Sequence, residues 1–294
     1  MNGFLNINKP KNITSYDVIR ILKKKLSLKR GYKIGHGGNL DPIATGVLVV
    51  GIGKATKFLP FITDMPKEYV ATIKFGVLTN TLDISGQVID EKEVPLLKEE
   101  DLKNILKRFT GKIKQIPPSF SAVKYRGRKL YEFAREGVHI KLQPKEVTVY
   151  DIELLDFLRD KIKIRVKCSK GTYIRALARD IGEEIGTYGI VEDIIRTKVG
   201  NFDISDSISP EVESLENFLI PIDKAFLNFP EVRLRNMASW YFQNGNKVKV
   251  SDFLSIPLNL KNFDYVRVYD ENGKFIGLGF FKWNILYPKK VVVD

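Results

Sequence analysis

The residue best placed to take part in a reaction is Asp41. It is a carboxylate in the stretch 35–48, which reads G-H-G-G-N-L-D-P-I-A-T-G-V-L. Glycines at 35, 37 and 38 let the backbone adopt positive φ or approach another molecule closely. Asp41 precedes Pro42, which favours extended backbone, and the apolar run 47–50 that follows predicts a buried strand. An Asp-Pro pair alone is most often the start of a turn. A turn and a catalytic loop are therefore both open interpretations of this stretch.

Two further residues could serve a reacting carboxylate. Tyr69 begins the alternating stretch 69–75, which predicts a half-buried strand. Its ring is either part of the core or a stacking platform at the rim of a cleft. Arg175 lies in the first turn of a predicted helix, where its charge opposes the helix dipole. That cost indicates another role for Arg175, such as pairing with a carboxylate or a phosphate.

Residues 115–137 have the composition of an RNA-binding arm. Pro117 and Pro118 exclude a helix at its start, and basic residues then alternate with aromatic ones: Lys124, Tyr125, Arg126, Arg128, Lys129, Tyr131, Phe133 and Arg135. Cations beside aromatic rings are typical of proteins that recognise RNA loops and single strands. A solvated basic loop is the alternative interpretation.

The bulk composition narrows the class of protein. The 294 residues carry a net charge of +13, which favours a polyanionic partner, nucleic acid before an anionic membrane. The single cysteine, Cys168, excludes an internal disulfide, suits a reducing cytoplasm and is expected to be a small core residue. One Cys and two His exclude a structural zinc site built from these ligands. No apolar run approaches the ~20 residues of a membrane span, so we expect a soluble, cytoplasmic protein without a metal.

Periodicity predicts an α+β protein, because alternating strands are mixed with separate amphipathic helices. The stretch G-I-G-K-A-T at 51–56 fits neither the P-loop nor the dinucleotide fingerprint. The predicted elements are a helix capped by Thr14, helices over 98–110 and from 174, strands over 47–50, 69–75 and 161–168, and a hairpin over 265–281.

Six motifs in order resemble those of the bacterial TruB-type tRNA pseudouridine synthases, over nearly the whole chain. They are Lys9-Pro10 with Thr14-Ser15, the loop 35–48, Lys67-Glu68-Tyr69, the segment 115–137, and the stretches 168–175 and 196–202. Three positions depart from the family pattern: Asn12 stands for Gly, Asn39 for Thr and Phe120 for Tyr. Asparagine is the residue best able to replace glycine where positive φ is required.

The resemblance implies a pseudouridine synthase fold, with a mixed, mostly antiparallel sheet, flanking helices and the active cleft across the middle of the sheet. It implies a catalytic domain over residues 1–228, which includes an RNA-clasping arm at about 115–145. The segment 229–294 is similar to a small PUA domain, an RNA-binding β-barrel.

The activity that the resemblance implies is isomerisation of uridine-55 in the T loop of tRNA to pseudouridine. The N1–C1′ bond breaks, the base rotates and it rejoins the sugar through C5, without a cofactor. Asp41 would act on the flipped-out nucleotide as nucleophile or base, and Arg175 would pair with Asp41. Tyr69 would stack on the base and is a candidate for removing the C5 proton.

The resemblance also implies how the RNA is held. His36 would fill the space vacated in the RNA loop, while Tyr173 and Ile194 would line the uracil pocket. The arm, with Lys124, Arg126 and Arg128, would close over the T stem-loop, and the C-terminal domain would touch the acceptor stem. A monomer without an obligatory protein partner is expected. The alternative is a non-catalytic tRNA-binding or folding protein on the same scaffold.

Overall fold

The computed structural model describes residues 1–138, 140–258 and 260–292. Position 139 of the predicted arm, and positions 259, 293 and 294 of the predicted C-terminal domain, lie outside the described residues.

The described residues form nineteen strands. They are β1 Gly3–Lys9, β2 Ile34–His36, β3 Thr45–Ile52, β4 Lys67–Phe75, β5 Val77–Thr79, β6 Val88–Glu91, β7 Gly111–Gln115, β8 Lys124–Tyr125, β9 Arg128–Lys129, β10 Lys145–Leu158, β11 Lys161–Cys168, β12 Gly189–Val199, β13 Phe202–Asp203, β14 Glu231–Leu234, β15 Val248–Lys249, β16 Phe253–Ser255, β17 Tyr265–Tyr269, β18 Phe275–Lys282 and β19 Ile285–Val291. The α-helices are α1 Ser15–Lys25, α2 Leu59–Asp64, α3 Glu99–Arg108, α4 Leu130–Arg135, α5 Ile174–Ile185 and α6 Asn236–Gln243.

A central sheet carries most of the N-terminal part of the chain. Its order is β1-β3-β12-β4-β11-β10-β7, with β2 also paired to β3 and β13 to β12. The neighbours are antiparallel except β3 and β12, which run parallel through the pairs Thr45–Ile195 and Gly46–Arg196. The mixed, mostly antiparallel sheet expected from the resemblance is therefore confirmed. The parallel pair brings the loop before β3 against the middle of β12.

Strand β3 is buried on both faces, as its continuous apolar sequence predicts. Leu48, Val50 and Ile52 pack into the main core together with α1 and α5. Val47 and Val49 face a second cluster that contains Phe58 and Phe226. The loop that precedes β3 is thus anchored to a rigid strand.

The predicted helix signals are confirmed. The Thr14 side chain accepts a hydrogen bond from the Asp17 backbone N–H, and the Asp17 carboxylate accepts one from the Thr14 N–H at 2.8 Å, which is the capping box. Helix α3 buries Leu102 and Leu106. On β11, Ile162, Ile164, Val166 and Cys168 are buried as expected from the alternation. Burial raises the pKa of the Cys168 thiol to about 11, which agrees with a core residue rather than a nucleophile.

A second, six-stranded sheet forms the C-terminal part, with the order β15-β19-β18-β17-β14-β16 and a barrel-like curvature. The predicted hairpin is β17 and β18. This sheet has its own apolar cluster, which includes Val232, Phe242 and Val266. No helix within the described ranges is both long and apolar enough to cross a membrane.

An aromatic seam joins the two sheets. The Phe58 ring lies with its centroid 6.1 Å from Phe226 of the N-terminal part and 6.1 Å from Phe275 of β18. Phe61 and Tyr265 meet edge to face at 5.5 Å. Leu278 of β18 is fully buried in the same cluster. The C-terminal sheet therefore packs directly against the 3₁₀ helix Gly53–Phe58 and helix α2, which follow β3.

Candidate active site

The loop between β2 and β3, which carries Asp41, is held by the N-terminal segment. The Pro42 carbonyl accepts hydrogen bonds from the Asn12 backbone N–H at 2.7 Å and from the Lys9 ammonium at 3.3 Å. The Leu40 N–H donates to the Ser15 hydroxyl at 2.9 Å. Asn12 has φ = +67°, so the expectation that this position requires positive φ is confirmed. The backbone on both sides of Asp41 is therefore fixed.

Lys9 is fully buried beneath this loop, and its ammonium also donates to the carbonyls of Pro10 at 2.8 Å and Ile13 at 2.7 Å. Burial lowers the pKa of Lys9 to about 8, and the Asp41 charge opposes that shift. The Lys-Pro motif is thus the support on which the Asp41 loop rests.

Asp41 forms an ion pair with Arg175, with 2.8 Å between Oδ2 and Nη2. The Arg175 side chain is 6% exposed and that of Asp41 is 39% exposed, so the carboxylate lies at the opening and the arginine beneath it. Helix α5 begins at Ile174, which places Arg175 in its first turn as predicted. Burial at this position strengthens the interaction compared with a surface pair.

Three other oxygens lie near the two terminal nitrogens of Arg175, whereas its buried Nε has no hydrogen-bond partner among the described residues. Its guanidinium donates to the Thr81 carbonyl at 2.8 Å and to the Phe120 carbonyl at 3.0 Å. The Asp83 carboxylate lies 3.6 Å from Nη1. Arg175 therefore lies between two carboxylates, of which only Asp41 reaches the opening.

Asp83 is a site residue that the sequence reasoning missed, because the residues of 79–86 indicate only a polar turn. Its carboxylate is 5% exposed and accepts hydrogen bonds from the Thr81 hydroxyl at 2.8 Å and the Ser85 N–H at 3.0 Å. An aspartate bonded to the N–H two residues later is an Asx turn. The Asp83-x-Ser85 sequence thus predicts the turn, but it does not predict the contact between Asp83 and Arg175.

Asp41 and Arg175 border a cavity of about 320 Å³. Tyr69 from β4, Tyr173 at the start of α5 and Ile194 from β12 line it with them. Gln115 accepts from the Tyr173 N–H at 3.1 Å and donates to the Tyr173 carbonyl at 3.3 Å, which fixes this residue. Five of the predicted site residues are therefore brought to one cleft in the middle of the central sheet.

Burial governs the two tyrosines of the cleft. It raises the pKa of Tyr69, although the charge of Arg196 and a hydrogen bond from it act in the opposite direction. It also raises the pKa of Tyr173, against a hydrogen bond with Ser121. Both phenols are therefore neutral near pH 7.

His36 lies on β2, opposite Val50, and is not among the residues that line the cavity. Burial, followed by the charge of Arg196, lowers the pKa of its imidazole. His36 therefore lies beside the cleft, not in its lining. The direction of its pKa shift favours the neutral imidazole.

The basic arm begins with a small hairpin of β8 and β9, closed by Arg126 and Gly127 at φ = +49° and +86°. Lys124 is exposed, and the Arg126 guanidinium lies 5.4 Å from the centre of the Tyr125 ring.

Arg128 forms ion pairs with Glu132 and Glu136 and lies over the Phe133 ring. Lys124 and Arg126 are thus more available to an external anion than Arg128.

The described residues contain no group of three or more His, Cys, Asp or Glu side chains that could hold a metal ion. The side chains that line the cleft include the Asp41 carboxylate, two tyrosines and two buried arginines, Arg175 and Arg196.

Comparison with known proteins decides the family. Residues 23–174 match the model of the TruB family pseudouridylate synthase N-terminal domain, and residues 230–292 match the model for the C-terminal part of pseudouridine synthase II TruB. A tRNA pseudouridine synthase B of Clostridium tetani is 42% identical over 95% of this chain and 95% of its own. One from Caldanaerobacter subterraneus is 41% identical over 99% of each chain. The chain belongs to the TruB family of pseudouridine synthases.

Solved structures agree with this TruB assignment at the level of the fold. A Cbf5-Nop10-Gar1 complex contains a chain with a TM-score of 0.75 and 26% identity, which covers 98% of this chain and 84% of that chain. An H/ACA RNP bound to a substrate RNA containing 2′-deoxyuridine gives a TM-score of 0.74 at 24% identity, over 99% of this chain and 85% of that chain. The pseudouridine synthase fold expected from the sequence is confirmed.

Within the TruB matches, Asp41 and Tyr69 lie inside the N-terminal region, and Arg175 is the residue that follows it. The departure at Asn39 leaves the loop intact, because this exposed residue contacts the protein through its backbone carbonyl, which accepts from Arg196 at 3.1 Å.

Proposed function

We propose that this TruB-family chain isomerises uridine-55 in the T loop of tRNA to pseudouridine, with Asp41, Arg175 and Tyr69 as its catalytic residues. The observation that carries the proposal is the Asp41–Arg175 ion pair of 2.8 Å at the mouth of a cavity of about 320 Å³. A cavity of this kind suits one extruded base.

Arg175 orients the Asp41 carboxylate toward the opening through the ion pair of 2.8 Å. The carboxylate then acts on the ribose of the flipped nucleotide as nucleophile or base. Because the reaction is an isomerisation, no group is exchanged with a cofactor.

Tyr69, Tyr173 and Ile194 hold the uracil. Stacking on an aromatic ring is worth ~1–3 kcal/mol per base, which offsets a flipping cost of a few kcal/mol. Once C5 has joined C1′, the C5 proton must leave. We propose that the Tyr69 hydroxyl relays it, its oxygen taking the C5 proton while its own proton passes to solvent.

The proposed catalytic unit spans residues 1–228 and the proposed PUA-like unit residues 229–294. The arm contacts the T stem-loop, the C-terminal unit contacts the acceptor stem, and His36 occupies the space left in the RNA loop. We also propose that the protein acts on tRNA as a monomer in the cytoplasm, without an obligatory protein partner.

The direct test is release of tritium from a T stem-loop RNA that carries 5-³H-uridine only at position 55. We expect stoichiometric release by catalytic amounts of protein. Tight binding of this RNA with release no faster than in buffer would instead identify a non-catalytic tRNA-binding protein.

Tyr69→Phe separates stacking from proton transfer. The ring is kept, so we expect the Kd for the stem-loop RNA to change by less than about threefold, whereas the rate of tritium release falls by about 10²–10⁴-fold, the usual contribution of a general base. Tyr150→Phe, at an exposed tyrosine of β10 outside the arm, is the matched control and should behave like the wild type. A Tyr69→Phe protein with the wild-type rate would remove the hydroxyl from the mechanism.

Neutralising the arm should weaken binding without slowing chemistry. For Lys124→Gln with Arg126→Gln we expect the slope of log K against log salt to fall in magnitude by about 1 for each phosphate that the protein no longer binds. The single-turnover rate at saturating RNA should stay at the wild-type value. Arg128→Gln should change the slope less, because Arg128 already pairs with Glu132 and Glu136.

Lys103→Gln, on α3, provides the background value for removal of one exposed cation that belongs to an ion pair. Equal salt slopes for the arm variant and for Lys103→Gln would place the RNA elsewhere on the protein.

A further inference from the structure

Arg196, on β12, is the largest fully buried side chain of the described residues, with 1% exposure. None of the ion pairs found among those residues involves it. Burying a cation without a carboxylate is costly. Its charge must therefore be balanced by dipoles, and the identity of those dipoles indicates its role.

All three guanidinium nitrogens donate to backbone carbonyls of the stretch that carries Asp41. Nη2 donates to Gly38 at 3.3 Å, Nη1 to Asn39 at 3.1 Å and Nε to Val47 at 2.7 Å. The first two carbonyls lie just before Asp41 and the third lies on β3, just after the loop. One side chain thus spans the loop from end to end.

The backbone of Arg196 fixes the same stretch as well. It is paired with Gly46 in the parallel ladder between β3 and β12. A Cβ at Gly46 would lie 2.3 Å from the Arg196 carbonyl oxygen, and φ there is +100°, so only glycine permits this approach. The loop cannot move relative to β12 without breaking these contacts.

On its other side, Arg196 adjoins the base-binding wall of the cleft. It is opposite Tyr69 in the antiparallel ladder of β12 and β4, and it lines the same cavity as Asp41 and Tyr69. Burial has the largest influence on the pKa of Tyr69, His36 and Lys67, and the Arg196 charge acts second, in the direction that lowers the pKa of each. Asp41 and Cys168 are the other ionisable groups that act on Tyr69.

We propose that Arg196 is a positioning residue for the isomerisation, because its guanidinium holds the Gly38–Asn39 carbonyls and β3 in one register and thereby sets the place of Asp41 relative to Tyr69. Only arginine offers donors directed along three separate lines from one planar group. A lysine at this position would keep the charge but would satisfy fewer of the three carbonyls. The effect of Arg196 on the isomerisation rate rests on the proposed function. Its effect on the position of the Asp41 loop does not.

The structural consequence is tested by amide hydrogen exchange on the free, full-length protein. In Arg196→Met and Arg196→Lys, exchange over residues 37–47 should accelerate by about tenfold or more, while the C-terminal sheet exchanges as in the wild type. Arg165→Met, which removes an arginine of β11 that pairs with Glu153 at the surface, is the control. Arg196→Lys decides the outcome if Arg196→Met does not fold.

Unchanged exchange over 37–47 in the folded variant overturns the proposal. So does acceleration of equal size in the loop and in the C-terminal sheet, since that would show general loss of stability.

The catalytic consequence is tested with the stem-loop RNA in single turnover. For Arg196→Lys we expect the rate at saturating RNA to fall by about 100-fold, because a misplacement near 1 Å has that effect, while the Kd changes by less than about threefold. A wild-type rate, or a Kd that weakens as much as the rate falls, contradicts the positioning role. If the wild type itself releases no tritium, the proposed function fails, and the exchange data alone decide whether Arg196 holds the loop.

Discussion

Replacement of Asp41 by asparagine is expected to abolish tritium release from the stem-loop RNA, with a loss of at least about 10³-fold in the single-turnover rate. The amide has the shape of the carboxylate but carries no charge and cannot attack the sugar or remove its proton. The Kd for the RNA should change little, because Asp41 is at the opening of the cleft and stacking and phosphate contacts do not depend on it. Gel-shift binding and tritium release on the same preparation measure both quantities.

Asp101→Asn, which removes an exposed carboxylate from the first turn of α3, is the matched control. It should release tritium at the wild-type rate. Equal release by Asp41→Asn and Asp101→Asn would exclude Asp41 as the reacting carboxylate.

Replacement of Arg175 is expected to have the second largest effect, and it should affect both stability and rate. Arg175→Met leaves the Asp83 carboxylate, 5% exposed, beside an apolar side chain. Breaking such a buried pair costs about 3–5 kcal/mol in the free energy of unfolding. The rate of tritium release should fall by about 10²-fold or more, since Asp41 loses the group that orients it.

Arg175→Lys keeps the charge, but one ammonium cannot reach Asp41, Thr81 and Phe120 in the same geometry. We expect an intermediate rate, with most of the stability retained. Asp83→Asn combined with each arginine variant completes a double-mutant cycle, measured by denaturant unfolding and by tritium release. Additive effects on both quantities, or full activity of Arg175→Lys, would contradict the shared ion pair.

Local patterns predicted much of the fold. The capping box at Thr14, the apolar spacing of α3 and the alternation of β11 each depend on residues within one element, so the sequence alone contains them. Asp41, Tyr69 and Arg175 could be proposed as site residues from the sequence because each stands in a recognisable motif.

The contacts of Asp83 and Arg196 could not be predicted from the sequence in this way. Arg175 meets Thr81 94 positions away in the chain, and Arg196 meets Gly38 158 positions away. These pairs follow from the order of strands in the central sheet and from the parallel register of β3 with β12. Periodicity predicts which face of a strand is buried, but it does not predict which strand is its neighbour.

The arm shows the same limit at short range. The resemblance assigned Lys124, Arg126 and Arg128 to RNA, whereas Arg128 is paired with Glu132 of α4 and with Glu136, the residue that follows α4. Counting charges along a segment does not reveal which of them neutralise one another once the segment folds.

The aromatic seam between the two sheets bears on how this protein can be divided. Phe275, Leu278 and Val292 belong to the C-terminal part but pack against Phe58 and Phe226 of the N-terminal part, so separation would expose apolar surface on both pieces. A shortened chain ending near residue 228, or the C-terminal sheet transplanted onto another enzyme, would therefore need polar substitutions on its newly exposed face to remain dispersed. The two sheets have separate cores, but each covers apolar surface of the other. Neither part can therefore be used alone without changes to that surface.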